Sequence, residues 1–130
     1  MDFPGELKYT ENDEWIRIEG QLGTTGLTDY AQDQLSDIVY LEVLVSVGKE
    51  LSQGDVFAEV ESVKAAAEVY APVDMVITEV NDSVSEAPET INADPYGQAW
   101  MIRFEIRDPS QLEGLMDAAA YRKYCESREH

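Results

Sequence analysis

Val60-Glu61-Ser62-Val63-Lys64-Ala65-Ala66-Ala67-Glu68-Val69-Tyr70-Ala71-Pro72 is the stretch on which the fold turns. Local propensity reads Glu61 to Tyr70 as an amphipathic helix, with Glu61 and Lys64 paired at i,i+3 and Ala65 to Ala67 as strong helix formers. The flanks argue the other way. They are rich in β-branched residues and Pro72 follows closely, which suits two strands joined by a tight turn with Lys64 at its tip. The chemistry of the segment alone leaves both readings open.

Outward from it, the chain is punctuated like a β protein. Trp15 to Glu19, a turn at Gly20-Gln21 and a second strand running through Leu27 read as a hairpin. Thr28 caps a short helix over Asp29–Leu35, ended by Ser36-Asp37. The β-branched run from Ile38 to Val47, closed by Gly48-Lys49, reads as a buried strand. Val56 to Val60, Val76 to Val80 (stopped by Asn81-Asp82) and Ala99 to Ile106 (closed by Asp108-Pro109) supply three more. The period then changes. Leu112, Leu115, Met116, Ala119, Ala120 and Tyr124 recur at spacings of three and four, predicting a helix over about 110–127 with Ser110 and Glu113 as a capping box. Composition and periodicity together predict a small antiparallel β sandwich or barrel with helical decoration.

The charge balance excludes several functions. Among 130 residues there are 27 Asp+Glu and 9 Lys+Arg, a formal charge of −18, while 44% are hydrophobic. That is enough apolar material for a core and an acidic surface around it, expected as one domain over 1–130. Such a field repels nucleic-acid phosphates and anionic bilayers and favours protein partners with basic surfaces. The start has no basic, apolar leader and no run is long enough for a membrane span, so a cytoplasmic chain is expected, or a mitochondrial-matrix one only if a transit peptide has been removed. Cys125, the single cysteine, forms no internal disulfide and reads as a small apolar residue of the last helix. His130, the single histidine, is terminal, which argues against a Ser-His-Asp triad or a histidine metal site. The acidic groups near Glu11–Glu14 lack calcium-loop spacing. No catalytic constellation is visible, and the chain reads as no enzyme.

The run Glu61-Ser62-Val63-Lys64-Ala65-Ala66 resembles the lipoylation site of the glycine cleavage system H proteins. Further blocks of that family occur in order: Asp13-Glu14-Trp15, Gly26-Leu27-Thr28-Asp29-Tyr30-Ala31-Gln32, Ser36-Asp37-Ile38-Val39-Tyr40, Asn92-Ala93-Asp94-Pro95-Tyr96-Gly97 and Trp100-Met101-Ile102. The resemblance spans about residues 7–125. It implies a mainly β lipoyl/biotinyl-type sandwich (barrel-sandwich hybrid) with a short internal helix and a C-terminal helix. It also implies lipoate attached to Lys64 at a hairpin tip, which would replace the helix reading of Glu61 to Tyr70. Glu61 and Gly48 match positions that present this lysine to a lipoyl ligase or transferase. Glu14 matches an acid of the family's His-Glu-Trp block, a candidate for holding the cationic amine of the loaded arm.

The implied function is a monomeric carrier that takes an aminomethyl group from a pyridoxal-phosphate glycine decarboxylase to a tetrahydrofolate-dependent aminomethyltransferase and is reoxidised by a dihydrolipoyl dehydrogenase. A related carrier serving lipoate relay or another redox partner is the alternative. A biotin carrier would want methionines where Val63 and Ala65 stand, and an acyl-shuttling lipoyl domain lacks the Asp94–Gly97 block. Three departures from the family stand out. Asp13 replaces the usual His, an extra residue before Gly48 predicts a bulge there, and Met75 replaces a turn glycine, which would be strained if that site required positive φ.

Overall fold

In the computed structural model, which describes residues 1–128, the first expected hairpin forms as β2 (Glu14–Glu19) and β3 (Leu22–Leu27). Gly20, at φ +64, supplies the turn conformation that a Cβ resists. β1 (Lys8–Tyr9) borders β2 on one side. On the other, β3 pairs with β9 (Ile102–Ile106), β9 with β8 (Met75–Val80), and β8 with β5 (Glu50–Leu51). The antiparallel order is β1-β2-β3-β9-β8-β5, so the last strand in sequence lies inside the sheet.

A second antiparallel sheet has the order β4-β6-β7, formed by β4 (Ile38–Val43), β6 (Val56–Ser62) and β7 (Ala66–Tyr70). The strand reading of the opening stretch is therefore the right one, and the helix reading is overturned. Alternation explains why. Val60 and Val69 turn inward and are fully buried, Glu59, Glu61 and Glu68 turn outward, and both edges of β6 are satisfied by pairing with β4 and β7. Ile16, Met75, Ile77 and Phe104 of the first sheet share one core with Leu41, Val60 and Val69 of the second.

Several expected boundaries move. β4 stops at Val43; Leu44 N still donates to Phe57 O (2.8 Å), and the chain then turns, with Lys49 N bonded to Ser46 O and Gly48 at φ +92. The length before Gly48 is thus taken up by a loop, and the register shift in β4 falls at Ile38/Tyr40 instead. β6 runs on to Ser62, and β9 begins at Ile102, three residues later than expected. Met75 carries no backbone strain. It opens β8, fully buried, and among the described residues only Asp13 and Ser36 are non-glycines at positive φ.

Helix α1 (Asp29–Leu35) is capped as expected, Thr28 Oγ1 accepting from Ala31 N at 3.1 Å, and ends at Ser36 with φ +67. Two short helices, α2 (Asp82–Glu86) and α3 (Thr90–Ala93), fill the stretch after β8. The C-terminal helix starts later than the periodicity predicts. Pro109–Gly114 is a 3-10 segment whose first turn is held by Asp108 Oδ1, which accepts from Ser110 N, so Ser110 and Glu113 form no capping box. Met116 then exchanges backbone hydrogen bonds with Tyr9, and α4 (Ala118–Arg128) follows Asp117, whose Oδ1 accepts from Ala120 N. Apolar spacing had merged two elements that a bridge to β1 keeps apart.

α4 closes a second, smaller cluster in which Tyr9 and Tyr121 stack at 4.6 Å beside buried Trp15, Leu7 and Cys125. No helix among the described residues is long and apolar enough to cross a membrane. His130 lies outside the described residues.

Candidate functional site

The β6–β7 turn is short and tied in three ways. Ser62 N donates to Ala65 O (2.8 Å), Ser62 Oγ accepts from Ala65 N (3.0 Å) and Lys64 N (3.3 Å), and Val63 N donates to Asp37 O (3.0 Å) at the end of α1. A serine hydroxyl that accepts from two following amides fixes the turn locally, while the bond to Asp37 fixes it against the body of the protein. Lys64 stands at the tip, exposed, its amine making no hydrogen bond or ion pair among the described residues. Ala65 and Ala66 beside it are exposed and small. The arrangement holds a backbone still and leaves a primary amine open to acylation.

Glu61 shares this hairpin, exposed and without a hydrogen bond among the described residues. Gly48 is not brought beside Lys64. The β4–β6 ladder has Ile38↔Ser62 at the tip end and Val43↔Ala58 at the other, and Gly48 lies beyond Val43. Its N–H donates to Ile77 O in β8, and nothing crowds its Cα.

Below the tip, a groove of about 780 Å³ runs between the β6–β7 face and the turn that precedes β2. Glu59, Glu61, Glu68 and Tyr70 line one wall, Asp13 and Arg128 the other. Arg128 meets Asp13 through two hydrogen bonds, Nη2 to Oδ1 at 2.6 Å and Nη1 to Oδ2 at 3.2 Å, and lies over the rings of Tyr30 and Tyr124 at 4.4 and 4.2 Å. Tyr121 Oη donates to the same Asp13 Oδ1 (2.8 Å) and shares a hydrogen bond with Thr28 Oγ1 (2.7 Å). Burial and the Asp13 carboxylate raise the Tyr121 phenol well above its ordinary range, so the hydroxyl stays a donor. The position that departs from the family thus holds the end of α4 onto the turn before β2.

Glu14, next in sequence, is buried at 1% exposure and does not line this groove. Its Oε1 accepts from Thr10 Oγ1 (2.5 Å) and its Oε2 from Tyr70 N (3.1 Å), which ties β7 to β2. Burial pushes its pKa up to about 7 against the lowering effect of those two bonds, with Asp13 adding to the rise. Glu14 therefore changes charge near neutrality at the root of the hairpin.

Nothing local in the sequence marks Asp37 as a support of the turn or Arg128 as a groove wall. Asp13 and Arg128 are 115 residues apart, and no local pattern links them. Ser62, two residues before the lysine, was the one findable signal, since Ser accepts readily from amides that follow it. No group of three His, Cys, Asp or Glu among the described residues is placed to hold a metal ion. The residues present suit a covalently attached carboxylic acid, for which one uncommitted amine with small neighbours is the requirement.

Comparison with known proteins bears on this site. The family profile described as "Glycine cleavage H-protein" matches residues 7–128. Glycine cleavage system H protein of Anaeromyxobacter sp. (strain K) is 50% identical over 129 residues, covering 99% of this chain and 100% of the relative. That of Thermotoga maritima is 48% identical over 118 residues, 91% of this chain and 94% of the relative. The crystal structure of a glycine cleavage system H protein from Mycobacterium marinum superposes with a TM-score of 0.80 at 31% identity, covering 98% of this chain and all of that one.

Proposed function

The chain belongs to the glycine cleavage H-protein family, and from that premise we propose that it is a non-catalytic lipoyl carrier with lipoate in amide linkage to Lys64. The observation that carries the reading is the exposed Lys64 amine on a turn braced by Ser62 and Asp37. Bound to Lys64, lipoate would supply a disulfide able to take up the aminomethyl group of glycine at a pyridoxal-phosphate decarboxylase with loss of carbon dioxide, to give its methylene to a tetrahydrofolate-dependent aminomethyltransferase with release of ammonia, and to be reoxidised from the dithiol by a dihydrolipoyl dehydrogenase.

The work of the chain's own residues is mechanical and electrostatic. The hairpin holds the attachment point at a fixed height, so each docked enzyme receives the reactive end at an effective concentration of about millimolar. Glu61 presents Lys64 to a lipoyl ligase or transferase from the same strand pair, and the Gly48 turn acts from the far end of the sheet by fixing how β4 leaves it. The acid-lined groove below the tip receives the cationic amine of the loaded state, and Glu14 supports that site by tying Tyr70, one of its lining residues, to β2. The charge of −18 speeds encounters with basic docking faces. The carrier acts as a single unit and a monomer in the cytoplasm.

Intact mass after incubation with a lipoyl ligase tests the attachment. One lipoyl increment is expected on the unaltered chain and none on Lys64→Arg, with the same melting temperature for both. An increment on Lys64→Arg overturns the assignment. Glycine decarboxylation reconstituted with the three partner enzymes then separates the glycine carrier, which restores turnover, from a relay carrier, which is lipoylated but does not.

A further inference from the structure

Among the described residues, seven large apolar side chains are conspicuously exposed, and five of them fall on β4, the loop that follows it and the β6–β7 tip. Val39, Tyr40, Leu44 and Val47 follow β4 and its continuation, and Val63 sits beside Lys64. The bond from Val63 N to Asp37 O joins the tip to the head of this strip. β4 is an edge strand of its sheet, and beside it a groove of about 500 Å³ opens between Tyr40, Val45, Val47 and Val80 on its apolar side and Glu42 and Asp82 on its acidic side. Large apolar side chains left exposed along one strand and interleaved with acids mark a place of association.

The rim has one sign. Glu42, Glu59 and Glu68 stand directly opposite one another across the three strands, all exposed. None has a salt bridge among the described residues, and Lys64 is the only basic residue on these strands and their connecting tip. Like charges placed opposite each other weaken a sheet. Their complement is a row of cations that this chain does not provide. A second copy would bring the same row and the same −18, which opposes self-association across this face.

We propose, on the carrier reading above, that this face is the docking surface for the enzyme that acylates Lys64, engaged by an apolar ridge flanked by Lys or Arg. Lys8, Lys49 and Lys123 offer the same functional group elsewhere on the chain, so selection of Lys64 requires the enzyme to read its surroundings. Glu59 lies five positions before Lys64 and Glu68 four after it. At roughly 3.3 Å per residue the row lies about 13–17 Å from the tip. A protein footprint of about 800 Å² per partner covers both.

The test uses the unlipoylated full chain with a lipoyl ligase, lipoate and Mg-ATP, followed by intact mass at about 50 and about 300 mM salt. In the reaction read out, the lipoyl carboxyl passes from its adenylate to Lys64 Nζ, an amide forms, AMP leaves and the amine proton goes to solvent. Glu42→Gln/Glu59→Gln/Glu68→Gln is expected to lose about tenfold in kcat/KM at low salt, through KM, and to lose the salt dependence of the unaltered chain. Val39→Ser/Leu44→Ser is expected to lose about fivefold at both salts, while Leu22→Ser, an equally exposed site on the other sheet, stays within about twofold. A melting temperature of the triple variant at or above that of the unaltered chain separates lost docking from lost folding. Both multiple variants acylated within about twofold of the unaltered chain overturns the proposal. So does a dimer of the unaltered chain that Val39→Ser/Leu44→Ser dissolves without slowing acylation. Failure of the unaltered chain to be acylated at all overturns the carrier reading and this surface together.

Discussion

Two regions face each other across the acidic groove, and they treat charge in opposite ways. Where the turn before β2 meets that strand, the two enclosed carboxylates are answered: Asp13 by Arg128 and Tyr121, Glu14 by Thr10 and the Tyr70 amide. On the hairpin opposite, Lys64, Glu59 and Glu61 have no side-chain partner among the described residues. Arg128 and Lys64 carry the same charge, yet one is forked onto a carboxylate between two tyrosines and the other ends in water. The difference teaches where the chain invests in rigidity. The turn before β2 is built to stay put, and the hairpin fixes only its backbone so that its side chains remain free for other molecules.

The strongest way to break this contrast is to remove the charge that the enclosed side tolerates least. Glu14 has a folded-state pKa of about 7 against an ordinary 4.5, so its contribution to stability is fully present below pH 4.5 and is lost as pH rises through 7. Glu14→Gln removes that dependence. Between pH 5 and pH 8 the variant should gain on the unaltered chain by up to about 3 kcal/mol, read as converging and then crossing urea midpoints. Midpoints that stay parallel across this range mean that Glu14 does not titrate near neutrality.

A smaller effect is expected from the opposite wall. Arg128→Ala loses both the Asp13 fork and the two ring contacts and should cost about 1–2 kcal/mol, and Arg128→Lys should recover less than half of it, since an ammonium cannot reproduce a planar fork. Full recovery by lysine would show that charge alone holds α4. Smallest of all is Ser62→Ala, expected to cost below about 1 kcal/mol while accelerating hydrogen exchange at the Lys64 and Ala65 amides. Unchanged exchange there would mean that the Asp37 bond alone braces the tip.

The same contrast explains what the sequence disclosed. The β2–β3 hairpin, the Thr28 cap and β8 follow from neighbours within a few residues, so alternation and turn chemistry expose them. The Glu61–Tyr70 segment was ambiguous because its alanines favour a helix, and pairing with β4, supplied from outside the segment, decides against it. Family resemblance, not propensity, pointed to the hairpin and to Lys64. The break between the 3-10 segment and α4 was illegible because Leu112, Leu115 and Met116 keep helical spacing while Met116 in fact bonds to Tyr9. Met75 was expected to carry strain only because a glycine is usual there, and its extended, buried place in β8 removes the cost.

The position of β9 between β3 and β8 has a consequence for synthesis. Until residues 102–106 leave the ribosome, those two strands both present open edges to the crowded cell, whereas β4, β6 and β7 are complete as soon as Tyr70 has emerged. The nascent protein can therefore shape the Lys64 hairpin well before its larger sheet closes.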